Sequence, residues 1–71
     1  MDTRHPNALL TGGPSALERA QRLLHVADLN DRVKILMGNR YEHFAPTGKT
    51  VDTEQGKVHV FEWSYRTRIA E

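Results

Sequence analysis

The sequence has no cysteine, no long apolar segment and no large excess of either charge. The absence of cysteine excludes disulfide bonds and thiolate metal sites. The longest apolar runs, Ala8-Leu9-Leu10 and Ile35-Leu36-Met37, are far too short to cross a bilayer, and the polar N-terminus lacks the apolar core of a signal peptide. We therefore expect a cytoplasmic protein without a membrane segment.

Size and charge narrow the class of protein further. The chain has 71 residues, of which 38% are apolar, so it can form one small domain with a thin core. Ten lysines and arginines nearly balance nine acidic residues. This balance disfavours a protein whose main partner is a nucleic-acid backbone. We expect a flexible arm at residues 1–6 and a single domain at residues 7–71.

The first half of the sequence predicts one strand followed by one helix. Residues 7–11 have strand character, and Gly12-Gly13-Pro14 would end that strand. From residue 15 to residue 27, apolar residues repeat at the spacing of an amphipathic helix. Residues 22–26 leave two alternatives open, because they could also form a short strand after a two-turn helix.

The second half predicts β-structure. Residues 33–44 alternate between the two faces of a strand, with a bulge or bend at Gly38, and turn-rich connections follow at residues 45–50 and 54–57. The last strand begins at residue 58, and on one of its faces it carries Phe61, Trp63, Tyr65, Thr67 and Ile69. Together these elements predict an α+β fold, in which one helix in the N-terminal half covers a small antiparallel sheet of three or four strands, with the first strand at one edge.

Neither a catalytic site nor a metal site stands out. The four histidines lack the HxxxH or HxH spacing of a metal site, and only a guessed strand pairing would bring His43 near His59 or Glu62. Gly12-Gly13-Pro14 could cradle an anion, but Pro14 removes one donor, and a tight turn explains the glycines as well. No nucleophile, base and orienting group are singled out by their spacing. We therefore expect no cofactor and no metal, and we do not expect an enzyme.

The aromatic residues supply the strongest signal. All five lie in two short segments of the second half, where they alternate with arginines and carboxylates. Cross-strand pairs of Glu42 or Glu62 with Arg66 or Arg68 would support neighbouring strands, and this structural role explains much of the pattern. Aromatic residues and arginines are also frequent anchors of interfaces. The predicted binding residues are Arg40, Tyr41, Glu42, His43, Phe44, Trp63, Tyr65, Arg66 and Arg68.

These residues predict a non-enzymatic accessory protein that binds a partner protein or a small aromatic metabolite. The alternative is a small nucleic-acid-binding or regulatory module, because rings flanked by cations can stack on bases. The cations that support this alternative are Arg32, Lys34, Arg40, Arg66 and Arg68. The nearly neutral net charge makes it the weaker of the two, since phosphate contacts require positive charge.

A family resemblance rests on three motifs. They are Asn7-Ala8 with Gly12-Gly13-Pro14, the central Tyr41-Glu42-His43-Phe44, and the ending Phe61-Glu62-Trp63 with Arg66-Thr67-Arg68-Ile69-Ala70-Glu71. With these motifs the chain resembles a family of short actinobacterial proteins of unknown function. The resemblance implies an accessory role tied to secondary metabolism and a chain that is complete at Glu71, and it implies no activity.

The sequence also predicts a homodimer. A sheet covered by one short helix can bury only one of its faces. The other face, expected to include Val58 and Val60 of the last strand with Leu36 and Phe44 of the central strand, would need another cover. A second copy of the chain would supply that cover by edge pairing or by face packing.

Overall fold

The chain folds around one five-stranded sheet. The computed structural model describes residues 5–54 and 56–69. Its elements are β1 (Ala8–Thr11), α1 (Arg19–Arg22), β2 (Leu23–Leu24), β3 (Val33–Met37), β4 (Arg40–Thr53) and β5 (Gly56–Arg68). The strand order is β2-β1-β5-β4-β3, in which β1 and β5 are parallel and all other neighbours are antiparallel.

This architecture contradicts the predicted fold class. The sheet has five strands rather than three or four, and it is mixed rather than antiparallel. The first strand is not at an edge, because it lies between β2 and β5. The helix within the described residues is a single turn, so the protein is almost entirely sheet rather than α+β. The predicted arm at residues 1–6 falls mostly outside the described residues, as do Ala70 and Glu71 of the C-terminal motif.

A helix was predicted over residues 15–27, but the observed helix is much shorter, because residues in the second half of this segment pair as a strand instead. After α1 ends, the next two residues pair with β1 in the register Ala8↔Leu24 and Leu9↔Leu23. Helices of this length are marginal in water, so ladder hydrogen bonds and burial decide the outcome. Of the two alternatives for residues 22–26, the structure contains the strand. Neither α1 nor any other helix in the described residues is long and apolar enough to cross a membrane.

The single strand predicted over residues 33–44 is a hairpin. The chain reverses at Gly38 and Asn39, between β3 and β4, so that Leu36 pairs with Tyr41. Gly38 has a φ of 66°, which is the sign that a type II′ turn requires at its first central position. The bend expected at Gly38 is therefore a turn, and the loss of clean alternation in the sequence marks the reversal.

β4 and β5 form a long hairpin. Residues 45–50, which were predicted as a connection, belong to β4, and the register shifts there between Pro46 and Thr50. The reversal comes between Thr53 and Gly56, which pair with each other, and so it falls within the second predicted turn. The prediction of a turn at residues 45–50 is wrong, because β4 continues through that segment with an irregular register.

An extra residue in β5 changes which aromatic side chains share a face. His43 pairs with Tyr65, and the next residue, Phe44, pairs with Trp63, so the ladder skips Ser64. Because Ser64 is outside the ladder, the alternation of side chains between the two faces skips it, and Tyr65 lies on the face opposite Trp63. The prediction that the aromatic residues of the last strand all share one face is wrong for this reason.

The core lies on one face of the sheet, which we call the core face. Its buried side chains are Ala8, Leu10, Leu17, Val33, Phe44 and Phe61, and the half-buried Leu24, Val26, Leu29, Ile35, Met37 and Trp63 pack against them. Leu17, Val26 and Leu29 lie outside the strands, so irregular connecting segments, rather than a long helix, cover this face. We call the opposite side of the sheet the open face.

Candidate functional site

The nine predicted binding residues lie on both faces of the sheet, because side chains alternate along a strand. On the core face are Arg40, Glu42, Phe44, Trp63, Arg66 and Arg68, and on the open face are Tyr41, His43 and Tyr65. Glu42 and Phe44 are fully buried, so neither can contact a ligand directly. The predicted residues therefore divide into a partly internal ionic group and an exposed aromatic surface.

The ionic group is centred on Glu42, at one end of the core face. Its Oε2 accepts hydrogen bonds from Nε of Arg40 at 2.7 Å and from Nε of Arg66 at 2.8 Å. Its Oε1 accepts a hydrogen bond from Nε1 of Trp63 at 2.8 Å. Glu42 and Arg66 are direct cross-strand partners, so of the four pairs that the sequence allowed, this one is confirmed. We call these four side chains the Glu42 cluster.

Glu42 stays ionised although it is fully buried. Desolvation by burial acts to raise the pKa of its carboxyl group, but hydrogen bonds from Arg40, Trp63 and Arg66, together with the charge of Arg66, lower it below its ordinary value. Removing one partner from a buried ion pair is costly, because the remaining charges lose their compensation. The carboxylate therefore acts as an anchor that fixes two guanidinium groups and one indole.

Arg22 holds the loop that follows β1, a role that no pattern in the sequence indicates. Its guanidinium donates to four backbone carbonyl oxygens, those of Leu10 at 3.3 Å, Gly12 at 2.7 Å, Pro14 at 3.0 Å and Leu17 at 2.9 Å. An anion cradle requires converging backbone N–H groups, whereas the groups that converge here are carbonyl oxygens directed at a cation. The turn interpretation of this segment is therefore favoured over the anion cradle.

The same loop packs against Trp63 and requires glycine. Gly12 and Gly13 have φ angles of 78° and 79°, in the left-handed region that side chains other than glycine rarely adopt. A Cβ atom on Gly13 would lie 2.8 Å from Cδ1 of Trp63. The loop thus covers one side of the indole while the indole nitrogen reaches Glu42.

The open face carries a set of aromatic and cationic contacts. The rings of His43 and Tyr65 are stacked, with centroids 4.3 Å apart and planes within 6° of each other. Nζ of Lys34 lies 4.6 Å from the centroid of the Tyr41 ring, and Cζ of Arg32 lies 5.7 Å from that of Tyr65. These side chains come from β3, β4, β5 and the residue just before β3, so the antiparallel register brings them together.

Exposed apolar surface accompanies these contacts. Leu36 is 57% exposed, and Tyr65 is 38% exposed. The exposure of Leu36 agrees with the sequence-based expectation, whereas Val58 and Phe44, which were expected to be exposed with it, are fully buried. We define the open-face patch as Arg32, Lys34, Leu36, Tyr41, His43 and Tyr65.

A shallow hollow lies elsewhere on the molecule. It has a volume of about 480 Å³ and is lined by Arg19, Leu23 and Asp52–Glu54 at the tip of the β4–β5 hairpin, so none of the predicted binding residues lines it. Within the described part of the chain, no group of three or more histidine and acidic side chains is arranged to hold a metal ion.

The open-face patch can contact a partner by ring stacking, by hydrogen bonds and by the positive charges of its cations.

Comparison with known proteins identifies a family. No curated protein and no solved structure matches the chain. A family model matches residues 2–71, which is nearly the whole chain, and confirms the resemblance to a family of unknown function. The chain belongs to the family of unknown function DUF5988.

Proposed function

We propose that this protein is a non-catalytic interaction module that binds an acidic protein surface through the open-face patch. The observation that carries the proposal is the ordered set of contacts in the patch, in which His43 stacks on Tyr65 and the cations Arg32 and Lys34 lie against tyrosine rings. Side chains that are already held in place lose little conformational freedom on binding. Tyrosine and arginine are also the residues that most often anchor protein interfaces.

The shape of the open-face patch favours a protein over a small aromatic metabolite. Small ligands usually bind in concave pockets that bury most of their surface. The patch instead lies on the face of a sheet, where Leu36 and Tyr65 are exposed. Because His43 already stacks on Tyr65, that ring has one face less to offer a planar ligand.

A single-stranded nucleic acid is the second candidate, since rings and cations occur together in the patch. The cations of the patch are Arg32 and Lys34, and the whole chain carries a formal net charge of only +1. Nucleic-acid binding depends on several phosphate contacts, which a patch with two strong cations supplies poorly. The geometry therefore supports this candidate less well than a protein partner.

The charge of the patch favours an acidic partner. Arg32 and Lys34 are exposed, and neither forms an ion pair within the described residues. A complementary surface would place carboxylates opposite these two cations and apolar side chains opposite Leu36 and Tyr65. An acidic surface with an apolar centre meets both requirements.

Nuclear magnetic resonance titration of the ¹⁵N-labelled protein tests this proposal. The probe is a synthetic peptide of alternating glutamate and leucine, and the matched control peptide carries lysine in place of glutamate. We expect saturable shifts of the backbone signals of Lys34, His43 and Tyr65 with the acidic peptide alone. Equal shifts with the lysine peptide, or no shifts with the acidic one, would contradict the proposal.

Two charge reversals sharpen this test. Lys34→Glu should abolish the shifts, because it places a like charge against the acidic peptide. Lys49→Glu changes the same charge at an exposed position outside the patch and should leave binding almost unchanged. If oligothymidine or indole-3-carboxylate produces the patch shifts and the acidic peptide does not, the nucleic-acid or metabolite alternative replaces the proposal.

A further inference from the structure

One end of the core face is rich in arginine and carries more positive charge than the carboxylate of Glu42 can neutralise. Arg40, Arg66 and Arg68 lie on this face, and Arg68 stands directly opposite Arg40 in the β4–β5 register. The acidic side chain among them is Glu42, which pairs with Arg40 and Arg66. Three guanidinium groups against one carboxylate leave two positive charges uncompensated within the described residues.

Glu42 holds two of these guanidinium groups in a fixed orientation. Arg40 and Arg66 each donate Nε to the same oxygen, Oε2, while their side chains remain 33% and 43% exposed. In the described part of the chain, no hydrogen bond uses the terminal nitrogens of either guanidinium. Those N–H groups can therefore donate to solvent or to a ligand without disturbing the anchor.

The number of arginines exceeds what Glu42 needs. Trp63 already donates to Oε1, and a single guanidinium would neutralise the one negative charge of the carboxylate. A second cation on the same oxygen, and a third opposite the first, add like-charge repulsion, which destabilises neighbouring strands. An anionic ligand bound among the three guanidinium groups would attract each of them and so offset this repulsion.

We infer that Arg40, Arg66 and Arg68 form a binding site for a phosphate dianion, either free or as a phosphate monoester. The planar fork of a guanidinium matches phosphate oxygens with two parallel hydrogen bonds. A phosphate monoester carries nearly two negative charges at neutral pH, which matches the two uncompensated positive charges. The site lies on the opposite side of the sheet from the open-face patch, so it does not depend on the proposed function.

The side-chain N–H signals of the cluster report directly on this site. We would follow the Nε–Hε signals of Arg40 and Arg66 and the indole signal of Trp63 in the intact protein, while inorganic phosphate replaces chloride at constant ionic strength. We expect saturable shifts, because phosphate on the terminal nitrogens polarises the bonds from Nε to Glu42. Shifts that do not saturate, or that chloride reproduces, would overturn the inference.

Arg68→Gln is the decisive variant, because the Arg68 side chain is exposed and forms no hydrogen bond or ion pair within the described residues. We therefore expect its loss to leave the fold intact. We expect the Kd for phosphate to rise at least about tenfold, since a charge-assisted contact is lost. Arg19→Gln, an exposed arginine in α1, is the matched control and should bind phosphate like the parent. Equal affinity of the two variants would show that no such site exists.

Two further arms complete the experiment. Phosphoserine is titrated beside inorganic phosphate, and tighter binding of one of the two supports the site and identifies its source as a monoester or free phosphate. Lys34→Glu, on the open face, should leave phosphate affinity unchanged. A loss of phosphate binding in this variant would contradict the location of the site on the core face, whatever the outcome of the peptide titration.

Discussion

At the scale of single residues, Glu42 keeps its charge where solvent does not reach it. Burial acts against ionisation, but the hydrogen bonds from Arg40, Trp63 and Arg66 outweigh it, and the folded-state pKa lies below the ordinary value of about 4.5. Because the folded pKa is the lower one, the stabilisation is complete above the unfolded pKa and is lost as the pH falls through the folded pKa. Protonation of Glu42 at low pH therefore contributes to the unfolding of the protein in acid.

We expect Glu42→Gln to lower the free energy of unfolding at neutral pH by about 2 to 4 kcal/mol, because two arginines lose their charged acceptor. Below a pH of about 4.5, the stability of the variant should fall less steeply than that of the parent. Urea denaturation at a series of pH values measures both effects. Glu62→Gln, at an exposed position, is the control and should change stability by less than about 0.5 kcal/mol.

A second residue-scale prediction separates steric clash from backbone strain. Gly13 and Gly48 have similar φ angles of 79° and 82°, but a Cβ would meet Trp63 only at Gly13, since nothing lies within 4 Å at Gly48. We expect Gly48→Ala to cost about 1 kcal/mol from strain and Gly13→Ala at least about 2 kcal/mol more, because strain and clash add. Thermal denaturation of both variants measures the difference. Equal losses would show that Trp63 moves aside freely.

At the scale of elements, the bulge in β5 decides which aromatic side chains reach the core. The ladder passes directly from the pair Phe44↔Trp63 to the pair His43↔Tyr65. Deleting Ser64 would therefore leave the same pairs adjacent in a regular ladder, with each side chain still on its present face. The bulge therefore keeps Ser64 out of the pairing, which places Trp63 and Tyr65 on opposite faces although they are two positions apart, and it adds local twist.

We expect deletion of Ser64 to preserve a cooperative fold, at a cost of less than about 2 kcal/mol, because no core side chain changes face. Deletion of Glu62 is the matched control. It makes Phe61 and Trp63 sequence neighbours, which forces one of them off the core face and should unfold the domain. Circular dichroism melts with Trp63 fluorescence distinguish the two variants. Similar behaviour of both would contradict the bulge assignment.

At the scale of the whole molecule, the homodimer stays a prediction. If two copies met through their open faces, Arg32 and Lys34 of each would approach like charges on the other. Salt screens such repulsion, so this dimer should form more readily at high salt. Binding of an acidic partner to the same patch should weaken with salt. The two kinds of association therefore differ in the sign of their salt dependence.

Light scattering after size exclusion, over a dilution series at low and high salt, measures this dependence. We expect a mass near the monomer value of 8.1 kDa in dilute, low-salt samples and a rising mass as salt and concentration increase. A monomer under every condition would contradict the homodimer. A dimer that dissociates in high salt would show that the copies meet through another surface.

The sequence by itself determined the features that depend on local chemistry. It predicted the first strand, the turn after residue 53, the last strand and the family membership, and it included Glu42 with Arg66 among four possible cross-strand pairs. These features follow from turn residues, alternation and composition within a few neighbouring positions. Of the six residues in the open-face patch, three are among the binding residues predicted from the sequence, namely Tyr41, His43 and Tyr65.

Only the tertiary structure decided which of those residues lie together. The helical spacing around Leu23 and Leu24 gave way to pairing with β1, because a ladder with a distant strand outweighed local propensity. The separation of the Glu42 cluster from the open-face patch depends on the bulge at Ser64 and the turn at Gly38, which set register between strands. Register is a relation between residues far apart in the chain, and a shift of one position moves a side chain to the other face.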